Sequence, residues 1–165
     1  MSRSRALVLA LILLLCTLVL ASCTKTEYKV SDVQAHAYVR TDGIMGLSLY
    51  VLPNASSSDK SSKKTVDSVQ FSVKSPDGNF SWSLPASKVS YDRLSYYGSS
   101  DICMPQGLNL PKGLWTVDVV FSDGSAVNQT FTVSYSDKDS ALSRYAELGS
   151  TDPWFDEKTN LTVIP

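Results

Sequence analysis

The chain contains few of the residues from which catalytic sites are built. Among its 165 residues there are one histidine, His36, and three cysteines. A histidine-based triad would need His36 together with a serine and a carboxylate from distant segments. The sequence has neither the Gly-x-Ser-x-Gly elbow of serine hydrolases nor a glycine-rich phosphate-binding motif. We therefore expect a protein that is not an enzyme. A small hydrolase that uses His36, or a Cys103–His36 dyad, is the alternative that the sequence leaves open.

Metal ligands are equally sparse. Zinc sites need clustered histidine and cysteine side chains, and the chain has too few of both. Asp152, Asp156 and Glu157 offer carboxylate oxygens to calcium, but they lack the spacing and the central glycine of a calcium-binding loop. We interpret these three carboxylates as groups that solvate an exposed turn, and we expect neither a metal nor a cofactor.

Positive charge is not in excess. The chain contains 15 Lys and Arg residues against 16 Asp and Glu residues, and two of the basic residues, Arg3 and Arg5, precede an N-terminal apolar segment. If that segment is removed, 13 basic residues remain and the net charge is about −3. This balance argues against nucleic acid as a partner and against electrostatic docking on anionic lipid.

The most specific pattern in the chain lies in its first 23 residues. Arg3 and Arg5 precede an uncharged, mostly apolar run over residues 6–21, and small residues stand before Cys23. A basic start, a short apolar segment and small residues at a cleavage site are typical of a secretory signal. The apolar run is shorter than the roughly 20 residues that span a bilayer. An uncleaved membrane anchor and a eukaryotic secretory signal with a chance cysteine are the alternatives.

The tetrapeptide Leu20-Ala21-Ser22-Cys23 resembles the lipobox of bacterial lipoproteins. The resemblance implies cleavage between Ser22 and Cys23 and attachment of lipid to Cys23, which becomes the mature N-terminus. Stable anchoring takes more than one acyl chain, as lipoproteins of this type carry, so the membrane is an expected partner through these chains. Aspartate after the lipidated cysteine favours inner-membrane retention in such proteins. Thr24 therefore favours the outer membrane, with the domain on its periplasmic or surface face.

The cysteines have different expected roles. Cys16 lies in the predicted signal and Cys23 is the predicted lipid site, so Cys103 has no partner for an intrachain disulfide in the mature chain. We interpret Cys103, which stands between Ile102 and Met104, as a small buried hydrophobic residue. A reactive or pairing thiol is the alternative.

Alternation of apolar and polar residues predicts strands over most of the mature chain. In the first run, Ala35, Ala37 and Val39 share one face, and the solvated polar face carries His36. The clearest runs cover residues 32–40, 44–52, 66–74, 80–84, 115–121 and 127–135. The stretch 93–111 looks irregular, with part of it as an edge strand. The polar segment over 54–65 is predicted as a flexible surface loop.

Two turns join these runs into hairpins. Residues 75–79 place proline and glycine where a tight turn needs them, and residues 122–125 contain the Asp-Gly pair of a hairpin turn. The second hairpin, over residues 110–135, resembles the final hairpin of immunoglobulin-like sandwiches in bacterial surface proteins. The resemblance implies an all-β fold, an antiparallel immunoglobulin-like sandwich of about seven to nine strands. The Cys-Trp-Cys core of antibody domains is absent.

The C-terminal part adds a short helix and a last strand. Apolar residues recur at helical spacing over 137–149, where Ser136, Asp137 or Asp139 can cap a helix and Gly149 can end it. The run Leu161–Ile164 is predicted as an added strand that pairs with an edge. The predicted organisation is a signal peptide over 1–22, a lipidated tether over 23–31 and a β-sandwich domain over 32–165.

Aromatic residues outside the clearest strands are the remaining lead to function. Tyr96, Tyr97, Trp154 and Phe155 are candidates for a binding surface, since exposed aromatic side chains mark recognition sites for proteins and sugars. Alternatively, Trp154 and Phe155 cover one end of the core. We expect a membrane-anchored, non-enzymatic lipoprotein for binding, adhesion or envelope assembly, with an envelope or host protein or glycan as partner. A glycan-binding module, or an accessory subunit of an enzyme that acts on cell-wall or host sugars, is the alternative function.

Overall fold

Nine strands and one helix account for most of the described chain. A computed structural model describes residues 26–57, 65–91 and 93–165. The predicted signal over 1–22, the lipid site Cys23 and residues 58–64 of the predicted loop lie outside this part. The elements in chain order are β1 Thr26–Arg40, β2 Met45–Ser57, β3 Val69–Lys74, β4 Ser81–Tyr91, β5 Leu94–Cys103, β6 Gly113–Phe121, β7 Ala126–Val133, α1 Lys138–Leu148, β8 Trp154–Asp156 and β9 Leu161–Ile164. The predicted all-β fold with one short helix near the C-terminus is confirmed.

The first two strands reach beyond their predicted ends. Strand β1 begins at Thr26, so it extends into the segment 23–31 that the sequence predicts as a tether. The described residues fall into two units, one with residues 26–27 and 55–57 and the other with residues 28–54, 65–91 and 93–165. In the described part of the first unit, the hydroxyl of Ser56 donates a hydrogen bond to the carbonyl of Glu27, 3.4 Å away. The second unit contains the core.

All nine strands of the described chain belong to one sheet, in the order β7-β6-β3-β4-β5-β2-β1-β9-β8. Strand β4 joins the two halves of this sheet. Its residues 81–86 pair with β3, and its residues 87–91 pair with β5. The pairing is antiparallel for β2–β5, β3–β4, β3–β6, β4–β5, β6–β7 and β8–β9, whereas β1 and β9 run parallel with Val39 opposite Val163. The sheet is therefore mixed, and the prediction of a purely antiparallel arrangement is wrong. Strands β1 and β9 are the first and last in the described chain, so the connection between them is long enough for parallel pairing, which a tight hairpin turn cannot make.

Strand β5 occupies a central position that the sequence did not indicate. It lies between β4 and β2, whereas the sequence predicts an irregular segment with part of an edge strand. Serine and glycine residues hide its alternation, although Ile102 is fully buried and Tyr97 nearly so. The pairing of β5 with β2 also contains a register shift between Leu47 and Leu49. Such an irregularity breaks the simple period-two pattern.

The inward-facing residues of both halves of the sheet form one hydrophobic cluster. Tyr28 of β1 stacks on Phe121 of β6 with 4.1 Å between ring centroids, although the two strands stand far apart in the sheet order. Trp115 is fully buried and stacks between Trp82 and Phe131 at 5.8 and 6.2 Å. Other fully buried members are Met45, Leu47, Leu49, Phe71, Ile102, Leu110 and Leu161.

The local predictions of hairpins and helix are confirmed. Strands β3 and β4 pair across the 75–79 turn, and β6 and β7 pair across the Asp-Gly turn. Asp137 caps α1 by accepting hydrogen bonds from the backbone of Asp139 and Ser140 at 3.0 and 3.3 Å. Gly149 ends the helix with a φ of 61°, a conformation that favours glycine. The predicted last strand is β9, which lies between β1 and β8 rather than at an edge.

Candidate functional site

In one half of the sheet, the face that points away from the core carries polar and aromatic side chains. Side chains alternate along a strand, so the core residues Ala37 and Leu49 are flanked by residues on the opposite face. His36 precedes Ala37 and is exposed, and Tyr50 follows Leu49 and is half-buried. We call this face of β4, β5, β2, β1 and β9 the outer face.

The Tyr50 ring packs over a glycine on the neighbouring strand. Tyr50 of β2 lies opposite Gly98 of β5. A Cβ atom added to Gly98 would lie 2.4 Å from Cδ1 and 2.7 Å from Cε1 of Tyr50. The ring therefore occupies the space that a side chain at Gly98 would fill, as aromatic residues do over glycines in sheets. Gly46 and Tyr38 form a similar pair, with a Cβ atom 2.3 Å from Cζ of Tyr38.

Two adjoining depressions lie beside the Tyr50 ring. The first is a cavity of about 350 Å³, and its lining residues are Gln34, His36, Tyr50, Val89 and Tyr96. The second is a cleft of about 610 Å³ that shares His36 and Tyr50 with the cavity and continues towards β9. The other residues that line the cleft are Tyr38, Arg40, Ser48, Ser100, Asp101, Cys103, Thr162, Ile164 and Pro165. We call the cavity and the cleft together the outer groove.

Polar contacts fix the side chains at the cavity end of the outer groove. The Tyr96 hydroxyl donates a hydrogen bond to Oδ2 of Asp32 at 2.8 Å, and Nε2 of Gln34 donates to the same oxygen at 2.9 Å. The hydrogen bond from Tyr96, followed by that from Gln34, lowers the pKa of Asp32 below its usual value. An ionised Asp32 thus orients two of the five lining side chains.

The cleft end is built around Tyr38 and Cys103. The Tyr38 hydroxyl donates to the carbonyl of Ser100 at 2.7 Å and lies 3.0 Å from Sγ of Cys103. Burial, with a further contribution from the hydrogen bond to Cys103, raises the pKa of Tyr38 well above its usual value. Cys103 is exposed, so the prediction that it is buried is wrong. Its neighbours Ile102 and Met104 point into the core, and alternation along the strand places Cys103 on the opposite face.

The four aromatic residues that the sequence selects do not form one surface. Tyr96 and Tyr97 are 6 % and 4 % exposed and face opposite sides of β5. Tyr97 belongs to the hydrophobic core, whereas Tyr96 lines the outer groove. On β8, Trp154 packs against the core and Phe155 is 50 % exposed.

The sequence did not select Tyr50, Gln34 and Val89, which also line the cavity. The signal for Tyr50 is its place on the polar side of a strand pattern, opposite Leu49 and Val51. Its partner Gly98 is 48 positions away in sequence, and only the strand register brings the two together.

Asp156, one of the three acidic residues near β8, is buried and paired with neighbouring side chains. Asp156 is buried, and its Oδ2 accepts hydrogen bonds from the guanidinium of Arg144 and from the hydroxyl of Thr159. Burial alone would raise the pKa of Asp156, but these hydrogen bonds and one from the backbone of Lys158 hold it below its usual value. The interpretation of Asp156 as a solvating carboxylate is therefore wrong. Within residues 26–57, 65–91 and 93–165, no cluster of three or more metal-ligating side chains occurs.

His36 and Cys103 both line the cleft. The thiol of Cys103 lies 3.0 Å from the Tyr38 hydroxyl and 4.0 Å from the carbonyl oxygen of Ser100, and these are its hydrogen-bonding partners.

Across the described ranges, no helix is long and apolar enough to cross a membrane. No protein-family model, curated protein sequence or solved structure is detectably similar to this chain. The site is therefore interpreted from its own residues.

Proposed function

We propose that this chain is a membrane-anchored bacterial lipoprotein whose domain binds an envelope or host component through the outer groove without catalysing a reaction. The anchor is supported by the lipobox-like segment that ends in Ser22 and Cys23. Cys23 then carries the acyl chains, and Thr24 favours the outer membrane. For the domain we propose an immunoglobulin-like sandwich, a reading supported by the shared core and by the Tyr28–Phe121 contact between distant strands.

The observation that carries the proposal is the cavity beside Tyr50. A volume of about 350 Å³ falls in the usual range for ligand sites. Its lining combines two tyrosine rings and an imidazole with an amide that Asp32 orients. Ligand sites typically combine apolar walls with a few fixed polar groups in this way. Side chains that only cover a sheet do not need such fixed polar contacts.

The direct test compares Tyr50 with a control position outside the outer groove. We would purify the full chain from membranes in detergent and measure how much of it sediments with envelope material from the same cells. The proposal predicts saturable binding that Tyr50→Ala weakens by about tenfold, which corresponds to about 1.4 kcal/mol. Leu114→Ala is the matched control, because Leu114 is an exposed apolar residue on β6, in the half of the sheet that the outer groove does not cross.

Two results would count against the proposal. Binding that Leu114→Ala abolishes and Tyr50→Ala leaves intact would move the site to β6. An absence of saturable binding by the wild-type chain would remove the groove as a binding site for envelope components. Thermal unfolding of each variant, measured beside the wild type, shows whether a loss of binding reflects a loss of folding.

A further inference from the structure

We propose that the ligand of the outer groove is a neutral oligosaccharide, with one sugar ring stacked on the face of Tyr50. This inference rests on the proposed binding function and specifies its ligand class. It follows from three features of the groove: the immobilised ring of Tyr50, the uncharged polar lining of the cavity and the continuation of the groove across several strands.

The first feature is a ring with one covered face. Gly98 takes up one side of the Tyr50 ring, since an added Cβ atom would lie 2.4 Å from the ring. His36 stands at one side, with its ring centroid 6.4 Å from that of Tyr50 and an interplanar angle of 55°. The ring therefore packs over Gly98, and Tyr50 also lines the cavity. Aromatic faces are electron-rich, and the C–H hydrogens on one face of a pyranose carry a partial positive charge that complements them.

The second feature is the chemistry of the cavity wall. None of its lining residues Gln34, His36, Tyr50, Val89 and Tyr96 is acidic or carries a lysine or arginine charge. The imidazole of His36 and the phenol of Tyr50 can both donate and accept hydrogen bonds. The amide oxygen of Gln34 can accept one, while Nε2 of Gln34 and the Tyr96 hydroxyl already donate to Asp32. Sugar hydroxyls need partners of this double character. An anionic ligand would instead call for a basic lining, and the one arginine of the adjoining cleft, Arg40, already pairs with Asp42 at 2.9 Å.

The third feature is the length of the groove. It begins at Val89 on β4, crosses β5, β2 and β1, and ends at Thr162 and Ile164 on β9. Four inter-strand spacings of about 4.8 Å give a length of about 19 Å. A path of that length accommodates a chain of several sugar units better than a single one. Serine hydroxyls of Ser48 and Ser100, which are 3.0 Å apart, line the path beyond Tyr50.

The test is a calorimetric titration of the full chain in detergent with defined hexasaccharides. The neutral probes are maltohexaose, cellohexaose, mannohexaose and xylohexaose, and the charged probe is hexagalacturonate. We expect at least one neutral probe to bind, Tyr50→Ala to weaken its binding by about tenfold, and Tyr50→Phe to keep it within about threefold because the ring is retained. Leu114→Ala, on β6 and outside the outer groove, should bind like the wild type.

Several outcomes would overturn this inference. They are the absence of binding by every neutral probe, equal binding by wild type and Tyr50→Ala, and binding of hexagalacturonate alone. If envelope material still sediments the wild-type chain in a Tyr50-dependent manner while no neutral probe binds, the proposed binding function holds and the sugar assignment fails. If neither assay detects binding, both fail. The Tyr50→Phe variant keeps the ring over Gly98, so retained binding by this variant shows that the loss in Tyr50→Ala comes from removal of the ring.

Discussion

The ion pair between α1 and β8 offers the sharpest test of how the C-terminal part is held. The side chain of Asp156 is 3 % exposed, and that of Arg144 is 28 % exposed. The Arg40–Asp42 pair has side chains that are 45 % and 44 % exposed. Replacing each arginine with methionine removes the charge and keeps most of the apolar stem. The two variants therefore compare a buried pair with an exposed pair in one protein.

The expected magnitudes differ by more than the error of a denaturation experiment. Removing one partner of a buried ion pair costs about 3–5 kcal/mol because it leaves an uncompensated charge. Water reaches part of Arg144, its Nε atom is buried without a partner, and Asp156 keeps the hydrogen bond from Thr159. These features lower our expectation for Arg144→Met to about 2–3 kcal/mol of unfolding free energy. For Arg40→Met we expect at most about 1 kcal/mol.

Urea unfolding measures both losses, because a shift of the midpoint at constant slope reports a change in stability. The difference between wild type and Arg144→Met should also depend on pH. The folded-state pKa of Asp156 lies below its usual value, so the pair stabilises the fold fully above about pH 4. As the pH falls below that value, the carboxylate becomes protonated in the folded state and the contribution is lost. Equal destabilisation by the two variants, or a difference that grows on acidification, would refute this reasoning.

Three further predictions concern the outer groove. Gly98→Ala should displace the Tyr50 ring, cost about 1–3 kcal/mol of stability and weaken groove binding as Tyr50→Ala does; unchanged binding would contradict the packing of the ring on glycine. Tyr96→Phe should raise the pKa of Asp32 towards its usual value, because it removes the hydrogen bond that lowers this pKa most. An NMR titration of the carboxyl carbon measures the change, and an unchanged pKa would contradict that hydrogen bond. Cys103 should react with a thiol reagent in the folded protein, as mass spectrometry can measure, and protection until denaturant is added would contradict its exposure.

The sequence predicts well what depends on neighbouring residues. The Asp-Gly turn and the proline-glycine turn each bring together strands that are adjacent in the chain, so both hairpins are correct. The cap at Asp137 and the glycine at 149 similarly determine the ends of α1 from within a few residues. These signals act through local backbone geometry and side-chain capping, which the sequence shows directly.

The errors arise where distant segments meet. The parallel pairing of β1 with β9 joins the two ends of the domain, and the position of Tyr50 over Gly98 depends on the register of β2 with β5. Neither leaves a local pattern. Cys103 is a different case, because its flanking residues Ile102 and Met104 already carried the signal: two apolar neighbours on one strand place the residue between them on the other face.

The measurement that tests the central claim most directly is the intact mass and membrane partition of the natively expressed protein beside a Cys23→Ala variant. We expect a mature chain that begins at Cys23, carries acyl chains and partitions with membranes, and a variant that lacks this modification and anchoring. A soluble wild-type protein with an unmodified N-terminus would contradict the claim that this domain is a lipid-anchored binding module.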